Sequence, residues 1–179
     1  MQRGRDAAVR AFLEVRELPY AIDAAHAADD LQRVGTGDCL AKAELLARRL
    51  TALGLRTRLV RCRYELPAVV PEVAALPSRL DLHRAVEVFL DDRWLLADAT
   101  HDSGLAGTGL TVADWDGLSS TEPAYPPIGP TLVEGVDDLE IDAALNEIRE
   151  WTRQCHTEDL QRWRWAYIDW LAHQRPSGT

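Results

Sequence analysis

Residues 35–64 read GTGDCLAKAELLARRLTALGLRTRLVRCRY, and this stretch decides the fold. Within it the apolar period changes once. Leu40, Ala43, Leu46, Ala47, Leu50 and Leu53 recur at helical spacing and form a single stripe, with Leu45 and Arg48 off it. Asp38 is placed to cap the first turn, and Gly54 suits the residue after the last one. Beyond Gly54 the period is two. Leu55, Thr57 and Leu59 share one side of a strand, and Val60, Cys62 and Tyr64 the other. A helix followed by a strand, with a cysteine in the helix's first turn, is the predicted centre of the domain.

On the N-terminal side the pattern predicts a helix over 5–17, stopped by Pro19, and a second short helix over 22–33. On the C-terminal side, prolines 67, 71 and 77 make 65–80 a loop with at most one helical turn. Residues 82–90 and 93–99 read as a hairpin around Asp91-Asp92. From 101 to 135 the chain is rich in Gly, Ser, Thr and Pro. At most short strands such as 110–113 are expected there, and the segment, with Trp115, Asp116 and Tyr125, is expected to shape the mouth of a cleft. Helices over 137–151 and 157–173 follow, and the last six residues are expected to fray. Trp163, Tyr167 and Trp170 share a helical face and read as core. Trp165 points off that face and is the candidate for a homodimer patch on this Trp-rich helix.

The chain has 179 residues, 46% of them apolar, which suits one domain with a core of its own. Its 20 Lys and Arg stand against 29 Asp and Glu, a net charge of −9. That balance argues against nucleic acid and anionic membranes as partners. The arginine-heavy, alanine-rich composition hints at a GC-rich bacterial gene. No secretory leader or membrane-spanning run is evident, so a cytoplasmic location is expected. Cys39, Cys62 and Cys155 are too few and too scattered for a disulfide framework or a metal site, and neither a metal nor a cofactor is expected.

Cys39 is the candidate nucleophile. A thiol in the first turn of a helix meets unpaired amides and the positive end of the dipole, which favour the thiolate and can receive an oxyanion. Cys62 and Cys155 read as structural. A thiolate needs a base, and the base an orienter. If the turn at Asp91-Asp92 has two residues, Ala85 faces Asp98, and His83 becomes a diagonal neighbour of Asp98 on the same face, roughly 7 Å away at the Cα level. A slip of one residue would separate them. His101-Asp102 is a nearby alternative pair, expected to be held less rigidly in its loop. His26, His156 and His173 are expected at the surface.

These segments resemble the transglutaminase-like superfamily, whose core shares its catalytic arrangement with papain-like cysteine peptidases. The resemblance runs through GDCLAKAELLARRLTALGLRTRLV with Cys39, HRAVEVFL with His83, and RWLLADAT with Trp94 and Asp98, and it covers residues 35–100. VRELPY at 15–20 resembles the lead-in helix of bacterial members. The chain departs from the family's pattern at Leu40 and at Arg84-Ala85, where relatives often carry cleft-lining aromatics.

The resemblance implies an α+β fold: a transglutaminase-like, cysteine-proteinase-like core with its central helix packed on an antiparallel sheet. One domain over 1–179 is expected, with additional helices at 5–33 and 137–173. It also implies a Cys39–His83–Asp98 triad, and a thioester intermediate on Cys39. The oxyanion would be held by the Cys39 amide with a polar residue from 17–36. Because the chain lacks the accessory domains and calcium-loop pattern of the large cross-linking enzymes, hydrolysis of an amide or peptide bond is the expected outcome, on a peptide, protein or small amide substrate. Acyl transfer by the same chemistry, and a non-enzymatic binding module that keeps the fold, are the alternatives.

Overall fold

In the computed structural model, which describes residues 2–175, the elements run α1 (Gln2–Arg16), β1 (Tyr20–Ala25), α2 (Ala28–Val34), α3 (Cys39–Ala52), β2 (Arg56–Glu65) and α4 (Pro71–Ala74). They continue as β3 (Leu80–Leu90), β4 (Arg93–Ala97), β5 (Ile128–Val133), α5 (Asp138–Gln154) and α6 (Thr157–Gln174). The architecture is α+β. A four-stranded antiparallel sheet in the order β4-β3-β2-β5 is flanked by the helices.

Helix α3 begins and ends where its residues dictate. Asp38 accepts a hydrogen bond from the Ala41 amide at 3.1 Å, and Gly54 takes φ +78° to turn the chain into β2. Leu46 and Leu50 are buried as the stripe requires, but so are Ala41, Lys42 and Leu45, while Leu53 is exposed. The stripe is too narrow a description. Ala8, Phe12 and Val15 of α1, Leu31 of α2, and Val86, Val88 and Leu95 of the sheet all pack with α3 in one apolar cluster, so it is covered on several sides.

Residues 20–25 form strand β1, so 22–25 are not helical, contrary to expectation. Pro19 restrains the entry, and the strand is held by backbone bonds to the segment preceding α3: the amide of Ala25 donates to Thr36 O, that of Gly37 to Pro19 O, and that of Asp38 to Ala25 O. Gly37 is needed there, because a Cβ would come 2.7 Å from the Ala25 carbonyl oxygen. Only the later part of 22–33 is helical, as α2.

The β3–β4 hairpin has the expected register. Leu90 pairs with Arg93 and Val86 with Ala97. Asp91 and Asp92 both take positive φ, 49° and 62°, as a two-residue turn of mirror-image type requires. In the 101–135 segment, 110–113 is not a strand, and the regular pieces are a 3-10 turn at Ser103–Leu105 and the edge strand β5. Helix α5 runs to Gln154, three residues past the expected end at 151. Its Leu139 is exposed, while Ile141 and Ala144 are buried. Of the expected frayed end, Gln174 closes α6 and Arg175 is held by Asp102, while 176–179 lie outside the described residues. No described helix is long and apolar enough to cross a membrane.

Lys42, the chain's one lysine, is fully buried and donates to Arg16 O at 3.0 Å and Leu18 O at 2.7 Å, tying the end of α1 to α3. Burial pulls its pKa down to about 7, against the pull of Asp102 and Asp98 upward. Between that value and the ordinary 10.5 the unfolded chain holds a proton the folded chain lacks. Wild-type stability should therefore rise relative to Lys42→Met by up to ~1.4 kcal/mol per pH unit across this window, read by urea unfolding at a series of pH values. In the hairpin turn, Asp92→Gly should stabilise the fold by about 1 kcal/mol, because glycine enters the left-handed region without a Cβ penalty; thermal unfolding checks this.

Candidate active site

His83 lies near the start of β3, and Asp98 follows β4 directly. Their contact is what the hairpin register delivers: His83 Nε2 lies 2.9 Å from Asp98 Oδ2, with both residues buried. The carboxylate is fully engaged. Oδ2 also accepts from the Ala124 amide at 2.8 Å, and Oδ1 from the Thr100 hydroxyl at 2.7 Å. The aspartate thus caps its own turn and orients the imidazole at once. Burial would push the Asp98 pKa up, but the His83 charge and these hydrogen bonds bring it down to about 2. Burial would likewise depress the His83 pKa. The Asp98 charge and hydrogen bond override it and hold the ring well above 6.5.

The neighbouring Cys39 raises the His83 pKa further. The contact falls short of a formed hydrogen bond, and His83 Nδ1 is buried without a partner. The first turn of α3 and the hairpin thus place Cys39 near the imidazole that Asp98 holds. The ring is walled by aromatics. Tyr125 and Tyr64 meet it edge-on at 5.0 and 6.1 Å, and stack on each other at 4.1 Å.

Cys39 is partly exposed and lines a cavity of about 530 Å³, a volume suited to a small ligand. Its wall is largely apolar and comes from α5 and α6, with Leu145, Ile148, Trp151, Leu160, Trp163 and Tyr167, and from Tyr20, Ile22, Tyr64, Leu66 and Leu82. No residue of 101–135 lines it, contrary to expectation. Trp115 and Tyr125 are buried, Trp115 against Phe12 of α1 and Tyr125 against the His83 ring.

The other candidates separate cleanly. Cys62 pairs with His83 across β2 and β3 and is buried, which pushes its thiol pKa up. Cys155 sits between α5 and α6. His101 and Asp102, expected to be loosely held, are buried struts. His101 Nδ1 lies 2.8 Å from Thr111 O and Nε2 3.0 Å from Tyr125 Oη, and burial pulls the ring's pKa down to about 4. Asp102 accepts from the Tyr20 amide at 2.8 Å and from Arg175 Nη2 at 2.6 Å. Trp165 is 69% exposed, while Tyr167 is buried and Trp163 and Trp170 pack partly buried beside it.

Sequence reasoning left the polar residue of 17–36 open. His26 is such a residue at the site: it lines the cavity, and its Nδ1 lies 2.6 Å from Oδ2 of Asp38, the cap of α3. An acidic cap with a histidine twelve residues upstream was the one signal for it. Among the described residues no cluster of three His, Cys, Asp or Glu stands close enough to hold a metal ion.

No family model matches the chain, and no curated protein does. Among solved structures it is similar to a "putative cysteine protease" from Cytophaga hutchinsonii, with 18% identity and a TM-score of 0.41. The match covers 73% of this chain and 45% of that one, so the chain spans less than half that structure's length.

The titration of His83 follows from its partner. Its ring should remain an imidazolium at pH values well above 6.5, and lose its proton only at higher pH. In Asp98→Asn the burial cost is no longer offset, so the midpoint should fall below 6.5, at a cost of about 3–5 kcal/mol in stability. NMR titration of the ring and urea unfolding measure the two effects.

Proposed function

We propose that the chain is a thiol-dependent hydrolase of an amide or peptide bond, working through Cys39, His83 and Asp98 on a transglutaminase-like, cysteine-proteinase-like core. The observation that carries the reading is a helix-start thiol that lines an open cavity and lies near an imidazole whose Nε2 is held by a buried carboxylate. The sequence resemblance at 35–100 supports it independently.

In this reading Asp98 fixes the ring orientation and steadies its positive charge. His83 takes the Cys39 proton, or already holds it as the imidazolium of an ion pair, and the sulfur attacks the carbonyl carbon. The C=O electron pair moves to oxygen. As the tetrahedral adduct collapses, the C–N bond breaks and the amine departs with the proton from His83. Water, deprotonated by His83, then attacks the thioester and releases the acid and the thiol. The largely apolar cavity wall suits an acyl group with apolar character.

The test is mapping of the cysteine modified by an amide-like electrophile. Labelling should fall on Cys39 ahead of Cys62 and Cys155, and should be lost in His83→Ala. Cys39→Ala should abolish turnover while leaving the thermal unfolding profile in place. Sluggish, equal labelling of all three thiols would sink the reading and favour a module that only binds. Adding a primary amine during turnover distinguishes the outcomes of the thioester, since an amide product would mark acyl transfer.

A further inference from the structure

We infer that the hydroxyl of Tyr167, carried by α6, is the side-chain donor that receives the carbonyl oxygen of the acyl group attacked by Cys39. The inference rests on the hydrolase reading above and deepens it. Tyr167 lines the same cavity as Cys39 and is 1% exposed, yet its hydroxyl has no hydrogen-bond partner. Buried hydroxyls are ordinarily paired, so an unpaired one on a residue of this cavity's wall calls for an acceptor.

The Tyr64 and Tyr125 hydroxyls already donate elsewhere, and that of Tyr20 accepts from Tyr125. Tyr64 donates to Asp81 at 3.3 Å, and the Tyr125 hydroxyl lies 3.1 Å from that of Tyr20 and 3.0 Å from His101. Tyr125 stands near enough to the Tyr167 hydroxyl to oppose the rise in its pKa, but no hydrogen bond joins the two.

Burial pushes the Tyr167 pKa up to about 12, and the nearby Cys39 sulfur contributes to the rise. The phenol therefore keeps its proton and stays a donor at any working pH. His26, the polar residue from the segment where a donor was expected, is a weaker claimant. Its side chain is 58% exposed, so water can satisfy it. Trp163, four residues before Tyr167 on the same helix face, carries another buried N–H without a partner.

The step is electronically simple. When the C–S bond forms, the C=O pair moves to oxygen, and Tyr167 hydrogen-bonds that oxygen without giving up its proton. When the adduct collapses, C=O re-forms and the C–N bond breaks.

Two probes separate this role from the reactivity of the thiol itself. N-acetyl-phenylalaninal adds reversibly to Cys39 and leaves its oxygen where the oxyanion would lie, with its ring against the apolar wall. Iodoacetamide alkylates the same sulfur by displacing iodide and forms no oxyanion. In Tyr167→Phe, which keeps the ring, aldehyde affinity should fall about a hundredfold. The alkylation rate of Cys39 should stay within about twofold, and turnover should lose kcat with KM unchanged.

Equal aldehyde affinity in the two proteins, with Cys39 selectively alkylated in both, overturns the inference alone. Wild-type Cys39 reacting no faster than Cys62 and Cys155 overturns the hydrolase reading and this inference with it. An unfolded chain alkylates all three cysteines alike, so the same sample reports folding. Tyr167→Leu, read by the same ratio of aldehyde affinity to alkylation rate, provides a second variant.

Discussion

The site depends on one buried contact, the His83–Asp98 pair, and that contact depends on a turn of two residues. Both partners are out of water, so each charge is tolerable only because the other is present and every remaining carboxylate lone pair is used. An extra residue in the turn would put the two side chains on opposite faces of the hairpin. The left-handed backbone at Asp91 and Asp92 is thus part of the chemistry, although it lies at the far end of the hairpin.

Much of this was legible in the residues. Asp38 and Gly54 mark the ends of α3 by local hydrogen-bonding and backbone preferences, which act over one turn and leave a signature in sequence. Strands β3 and β4 show their alternation because each is regular and bounded by a turn. The placement of His83 against Asp98 followed from counting residues across that turn.

What was hidden was set by distant partners. Strand β1 is defined by backbone bonds to the 36–38 segment, and no local period announces them. Strand β5 contains Gly129 and Pro130 and lies at the sheet edge with most of its residues exposed, so its composition reads as loop. Leu45 and Lys42 lie off the apolar stripe, yet helices pack on more than one side of α3. The cavity wall was misassigned to 101–135 for a similar reason. Which segment roofs a site is decided by how α5 and α6 dock, and that docking runs through residues such as Leu82, Ile141 and Tyr167, far apart in the chain.

The apolar clusters divide the molecule in a way that bears on how it can diversify. Most of the packing of α3 and the hairpin belongs to one cluster, while Tyr167, Leu66 and the α5 face belong to two others. Changes accumulating in α5 and α6 can reshape the ground on which a ligand rests without disturbing the frame that carries the sulfur. Such a partition lets the cavity wall vary while the scaffold beneath α3 stays fixed.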